Sequence, residues 1–167
     1  MQITNISEFM PWYAKVKGRT HRLFACIPPE QIEWRHREGS FSFGDIIRHL
    51  ATIERFMYAE TVQGNPSRYP GCGTDLAEGY EATIAFYESC HEESMAIFSQ
   101  LTEADLMKKC QTPAGTPITT WKWLRAMTEH EIHHRGQLYT YLSMLGIESP
   151  PIYGLTSEEV MARSQQD

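Results

Sequence analysis

No stretch of this 167-residue chain suits a bilayer span: the longest runs without a charged side chain, 110–121 and 136–147, have 12 residues each, against the roughly 20 that a span requires. Basic residues are outnumbered and scattered. There are 15 Lys+Arg against 21 Asp+Glu, a net charge of −6, and no basic cluster longer than Arg35-His36-Arg37. Without a concentrated positive face, nucleic acid is excluded as a partner. Residues 1–8 are polar and lack a basic segment followed by an apolar one, so they do not read as a signal peptide, and a cytoplasmic location is expected. Cys26, Cys72, Cys90 and Cys110 lie far apart with no CxxC pair, which predicts free thiols. Internal repeats and low-complexity segments are also lacking.

What remains is the mix of an ordinary folded domain, 41% hydrophobic and 22% charged. A chain of this length buries enough surface to fold without disulfide or metal staples. One domain spanning 1–167 is therefore expected, and any metal is free to serve function.

Apolar residues recur at helical spacing in four long segments separated by proline and glycine, which predicts an all-α four-helix bundle. The first segment runs from about Ser7 to Ile27, with Phe9, Tyr13, Val16, Thr20, Leu23, Phe24 and Ile27 on one face and Pro28-Pro29 as the stop. An irregular connection follows to Phe41. The second helix begins at Ser42, where Asp45 three residues on suggests a capping box. Ile46, Leu50, Ile53, Phe56 and Met57 form its stripe, and it ends before Gly64-Asn65-Pro66. The third is expected from Thr74 to Gln100, with Tyr80, Ile84, Tyr87, His91, Met95 and Phe98 inward. Thr102 and Asp105 mark a short helical turn, and Pro113, Gly115 and Pro117 exclude helix beyond it. The fourth starts near Thr119 or Thr120 and ends at Gly146; Thr156 and Glu159 then cap a short C-terminal helix.

On a wheel of 100° per residue with His130 at 0°, the apolar residues Trp123, Leu124, Met127, Leu138, Tyr141, Leu142 and Leu145 fall between about 20° and 120°. His134 lies inside that stripe, His130 at its edge and His133 further out. His49 borders the stripe of the second helix in the same way. Three imidazoles aimed at one bundle interior suit a divalent transition metal, two from one helix at i and i+4 and the third from a facing helix. Such a set leaves coordination positions open and lowers the pKa of a water or thiol nucleophile.

The HxxxH spacing by itself is weak, because seven histidines in 167 residues produce an i,i+4 pair by chance in about one such chain in four. Three core histidines are the plain alternative, as is a non-catalytic structural or sensing metal site. His91 competes with His49 for the third position or lines a pocket; as a core histidine it would bond a hydroxyl such as that of Tyr87. His133 reads as surface or as a support for a ligand, and His21 and His36 as solvated. Glu54, Glu129 and Glu131 lie near the candidate ligands, but carboxylates on a helix surface are usually solvated. Gly136, which costs a helix about 1 kcal/mol relative to alanine, suggests a close helix approach.

The run His130-Glu131-Ile132-His133-His134-Arg135-Gly136-Gln137, with Leu145-Gly146 after it, resembles the HxxxHRGQ signature of the DinB/YfiT-like superfamily. Phe43-Gly44-Asp45-Ile46-Ile47-Arg48-His49-Leu50 resembles the first histidine block of that family, and Pro28-Pro29-Glu30 extends the likeness over about residues 5–147. The DNA polymerase that shares the DinB name is unrelated. The resemblance implies a four-helix bundle, often paired as a homodimer, with a divalent metal on His49, His130 and His134. Relatives include S-transferases and isomerases that use low-molecular-weight thiols, and others grouped as metal-dependent hydrolases. Zn²⁺ or Ni²⁺ would serve, with a small-molecule substrate and, in the transferase case, a thiol cofactor. The resemblance assigns no general base, and Arg135 reads as a packing or dimer-contact residue.

Overall fold

The first helix, α1 (Ile6–Phe24), starts where the Asn5 side chain accepts from the Ser7 backbone N–H at 2.7 Å. The computed structural model describes residues 2–165. After a 3₁₀ turn at Pro29–Gln31, α2 (Phe43–Ile53) begins with the expected reciprocal Ser42–Asp45 capping box. It runs through a π-helical turn, Glu54–Tyr58, into α3 (Ala59–Val62). Next come α4 (Tyr80–Phe98) and the short α5 (Glu103–Met107), capped by Thr102 and Asp105 as expected. Strands β1 (Lys109–Gln111) and β2 (Pro117–Thr119) pair antiparallel, Cys110 opposite Ile118. The long α6 (Thr120–Met144) closes the bundle, and α7 (Ser157–Ser164) follows with its Thr156–Glu159 box.

Helix α2 packs against α4 and α6, and α1 against α6 and α4, so the four long elements enclose a mostly helical bundle. Its interior has two apolar clusters. One gathers Leu23, Phe24, Phe43, Ile46, Ile47, Leu50, Leu138 and Leu142; the other gathers Phe9, Val16, Tyr58, Phe98, Leu106, Leu124 and Met127. Each fully buried Leu, Ile or Phe contributes about 1.5–3 kcal/mol. Three charged residues are buried as well: Lys17 of α1, Glu54 of the π turn and Glu131 of α6.

Several expectations need correction. The third helix starts at Tyr80 rather than Thr74, because Gly79 at φ +80° breaks the chain direction and 74–79 forms part of a loop. The β1–β2 hairpin was not anticipated; its strands are three residues long, too short for an alternation signal. On the second helix the π turn displaces the stripe, so that Glu54 and Tyr58 are buried while Ile53, Phe56 and Met57 are half-buried. Gly136 makes no close helix approach: a Cβ there would meet nothing within 4 Å. The close approach occurs at Gly44, where a Cβ would lie 2.7 Å from Glu33 Oε1 and 2.8 Å from Arg48 Nη1. All four cysteines are free thiols, and no helix among the described residues is long and apolar enough to cross a membrane.

Candidate metal centre

His49 rises from α2, and His130 and His134 lie one turn apart on α6, the helix packed against it. Their tips converge. His130 Nε2 is 3.1 Å from His49 Nε2 and 3.2 Å from His134 Nε2, and one ring nitrogen of each lies within 4.8 Å of the other two. An ion with metal–nitrogen distances near 2.05 Å separates its nitrogens by about 3.3 Å in a tetrahedron and about 2.9 Å at cis positions of an octahedron. The two separations from His130 Nε2 fall in that range, so the triad could hold a divalent metal.

The outer nitrogens are held from behind. His134 Nδ1 donates to Gln137 Oε1 at 3.0 Å, and the Gln137 amide donates in turn to the Tyr141 hydroxyl at 3.1 Å. That hydroxyl is itself fixed, donating to the Phe41 carbonyl at 3.1 Å and accepting from His36 Nδ1 at 3.0 Å. His49 Nδ1 meets the Tyr69 hydroxyl at 2.8 Å. A proton held on Nδ1 leaves the lone pair on Nε2, the nitrogen aimed at the centre.

Burial sets the charge state. It pushes His49 down to about 4, helped by the neighbouring His134, and His130 down to about 3, helped by His134 and His49. His134 is also lowered by burial. All three imidazoles are therefore neutral near pH 7, as metal ligands must be. Aromatic rings flank the triad, Phe41 at 5.4 Å from His49 and Tyr58 at 6.5 Å from His130 between ring centres.

Other histidines stay out of the triad. His91 bonds the Glu54 carboxylate, Nδ1 to Oε1 at 2.7 Å, and not the Tyr87 hydroxyl; it lines a 460 Å³ groove with Ala14, Gly18 and His21. His133 is exposed beside the His134 ring, at 5.0 Å. His21 is half-buried and pairs with Glu88 at 2.9 Å, and exposed His36 is tied to Tyr141 rather than only solvated. Arg135 is a packing residue, buried with Nη1 3.4 Å from the Val16 carbonyl.

The carboxylates required the largest revision. Glu54 and Glu131 are buried around Lys17, whose Nζ lies 2.8 Å from Glu54 Oε2 and 3.2 Å from Glu131 Oε2. Tyr13 donates to Glu54 at 2.5 Å and Tyr87 to Glu131 at 3.2 Å. Burial alone would raise the Glu54 carboxyl, but the Lys17 ammonium and the His91 hydrogen bond outweigh it and hold the carboxyl at about 2. Glu131 had a signal in the sequence: on the wheel that aims His134 inward, it falls at about 100°, inside the apolar stripe. Lys17 likewise sits among the inward residues of α1, between Val16 and Thr20. Tyr69 lies on a loop, where no periodicity could mark it.

A sequence profile of the DinB superfamily matches residues 13–138. The chain belongs to the DinB superfamily. Among curated proteins it is similar to the uncharacterized protein YjoA of Bacillus subtilis strain 168, 26% identical over 149 residues, which are 88% of this chain and 95% of the relative. The crystal structure of the DinB-like YjoA superposes with a TM-score of 0.71 at 24% identity, over 87% of this chain and 96% of that one. A DinB-like protein from Bacillus cereus superposes at 0.74 with 16% identity, over 89% of this chain and 97% of that one. Likenesses at this level establish the fold, and this superfamily member carries within that fold a histidine triad that can hold a divalent metal.

Proposed function

We propose that the protein is a metal-dependent enzyme acting on small molecules, with one divalent ion, Zn²⁺ or Ni²⁺, held by His49, His130 and His134. The carrying observation is the convergence of three neutral imidazole nitrogens on one point. Among the described residues no fourth side chain joins the group, which favours an open, catalytic centre over a closed, structural one. When bound, the metal supplies a lowered pKa to a nucleophile: water in a hydrolase, a low-molecular-weight thiol in an S-transferase.

This chain's own residues set the conditions for that step. Gln137 and Tyr69 orient two of the ligands, and Phe41 and Tyr58 give the centre apolar walls. Burial raises the Tyr58 phenol above its usual range, so it stays protonated and can donate but not act as a base. The reading includes a cytoplasmic homodimer of this single domain. Exposed Ile132, Tyr139 and Met144 on the outer side of α6 support the pairing.

Elemental analysis of protein purified without a metal-affinity tag, with His49→Ala and His134→Ala alongside, tests the centre. About one equivalent of Zn or Ni, lost in both variants, is expected. Thiols with electrophiles, then esters and amides, would follow as substrates. A wild-type protein that takes up neither ion sinks the reading and leaves three core histidines.

A further inference from the structure

The loop between α3 and α4 is tied to α2 on both sides of His49. Arg48, the residue before it, donates from Nε to the Cys72 carbonyl at 2.8 Å and from Nη1 to the Ala77 carbonyl at 3.1 Å. Thr52, three residues after it, donates to the Gly71 carbonyl at 2.9 Å, and the Arg68 backbone N–H donates to Phe56 O at 2.7 Å. Between the anchors at Arg68 and Gly71 stands Tyr69. Its ring meets the His49 ring edge-on, 5.7 Å between centres and 89° between planes, with the hydroxyl 2.8 Å from Nδ1.

A phenol can donate to an imidazole nitrogen or accept from an imidazole N–H, and the two leave opposite tautomers. A lone pair on Nε2 requires the proton on Nδ1, and the Tyr69 oxygen, 2.8 Å from Nδ1, is placed to accept it. An imidazole free in water prefers its proton on Nε2, which would block the nitrogen that faces His130.

We propose that Tyr69 is a positioning residue of the metal centre, holding the His49 proton on Nδ1 so that the Nε2 lone pair faces His130 and His134. The proposal rests on the metal reading above, and it adds a residue outside both histidine blocks. Tyr69 also lines a 590 Å³ groove with Asn65, Ser67, Gln111 and Thr112. The loop that orients His49 therefore also forms one wall of a cleft.

Tyr69→Phe removes one oxygen from a side chain that is 40% exposed, with Tyr139→Phe as a control on the outer face of α6. Zn²⁺ affinity is measured by competition with a chelating dye, and the His49 tautomer by long-range ¹H–¹⁵N correlation on protein without added metal. The expected result is binding weakened about tenfold to a hundredfold, a shift of the His49 proton toward Nε2, and a melting temperature close to wild type. Tyr139→Phe should change neither the affinity nor the tautomer. An unchanged Zn²⁺ affinity, or a His49 that keeps its Nδ1–H signal, overturns the positioning role alone. Failure of wild type to bind Zn²⁺ sinks the metal reading and this role with it.

Discussion

Two polar clusters interrupt the apolar interior, and they use their hydrogen-bonding capacity in opposite ways. Around Lys17, both carboxylates accept hydrogen bonds from the ammonium and from tyrosine hydroxyls, and His91 completes Glu54. Each carboxylate is satisfied from inside the protein. At the triad, His49 and His134 meet other residues through their outer nitrogens, while the Nε2 atoms of all three rings face one another. Neutral acceptors crowded on one point form a site for a cation, whereas a closed ionic cluster mainly locks helices together. Polar burial alone does not mark function; unspent lone pairs on a common centre do.

The contrast is sharpest under substitution. Lys17→Met should strand two buried carboxylates and cost about 3–5 kcal/mol. In thermal unfolding that is a drop of roughly 6–20 °C for a chain of this size. A loss under about 1 kcal/mol would show that the cluster is not the lock described here. Gly44→Ala tests the neighbouring Arg48 anchor, where the new Cβ would crowd Glu33 and Arg48, with a cost of about 1–3 kcal/mol by denaturant titration.

His49→Ala should do the reverse of Lys17→Met, abolishing metal uptake while shifting the metal-free melting temperature far less, since it strands no buried charge. Acid titration separates the clusters again. Groups whose folded pKa is depressed lose their contribution as pH falls from the unfolded value toward the folded one. For His49 and His130 that window runs from 6.5 down to about 4 and about 3. For Glu54 it runs from 4.5 down to about 2. Stability of metal-free protein should therefore fall in two overlapping stages, the upper one reduced in His49→Gln, where His130 still titrates, and the lower one reduced in Glu54→Gln. The smallest effect has the opposite sign. Gly136→Ala, with nothing within 4 Å of the new methyl group, should gain up to about 1 kcal/mol of helix stability. A loss instead would place Gly136 in the contact between two copies.

Much of this was legible because helices write their inner faces into the sequence every three to four residues. The caps at Ser42, Thr102 and Thr156 and the Gly146 stop, at φ +69°, all sit where local chemistry puts them. His49, His130 and His134 were legible for the same reason, since each lies on or beside a periodic apolar stripe. Glu54 was not, because the π turn shifts the phase by which an inward residue is recognised. The hairpin and the loop carrying Tyr69 obey no period at all.

The sequence by itself determined the class of fold, the caps and stops of most helices, and that His49, His130 and His134 lie on or beside inward stripes, since all of these follow from interactions within a few residues. Only the tertiary structure decided the rest: that His49 and not His91 completes the triad, that Lys17, Glu54 and Glu131 meet, and that Tyr69 and Gln137 stand behind His49 and His134. Those contacts join residues on different helices and loops. Their distances depend on how α1, α2, α4 and α6 pack, which no local pattern specifies.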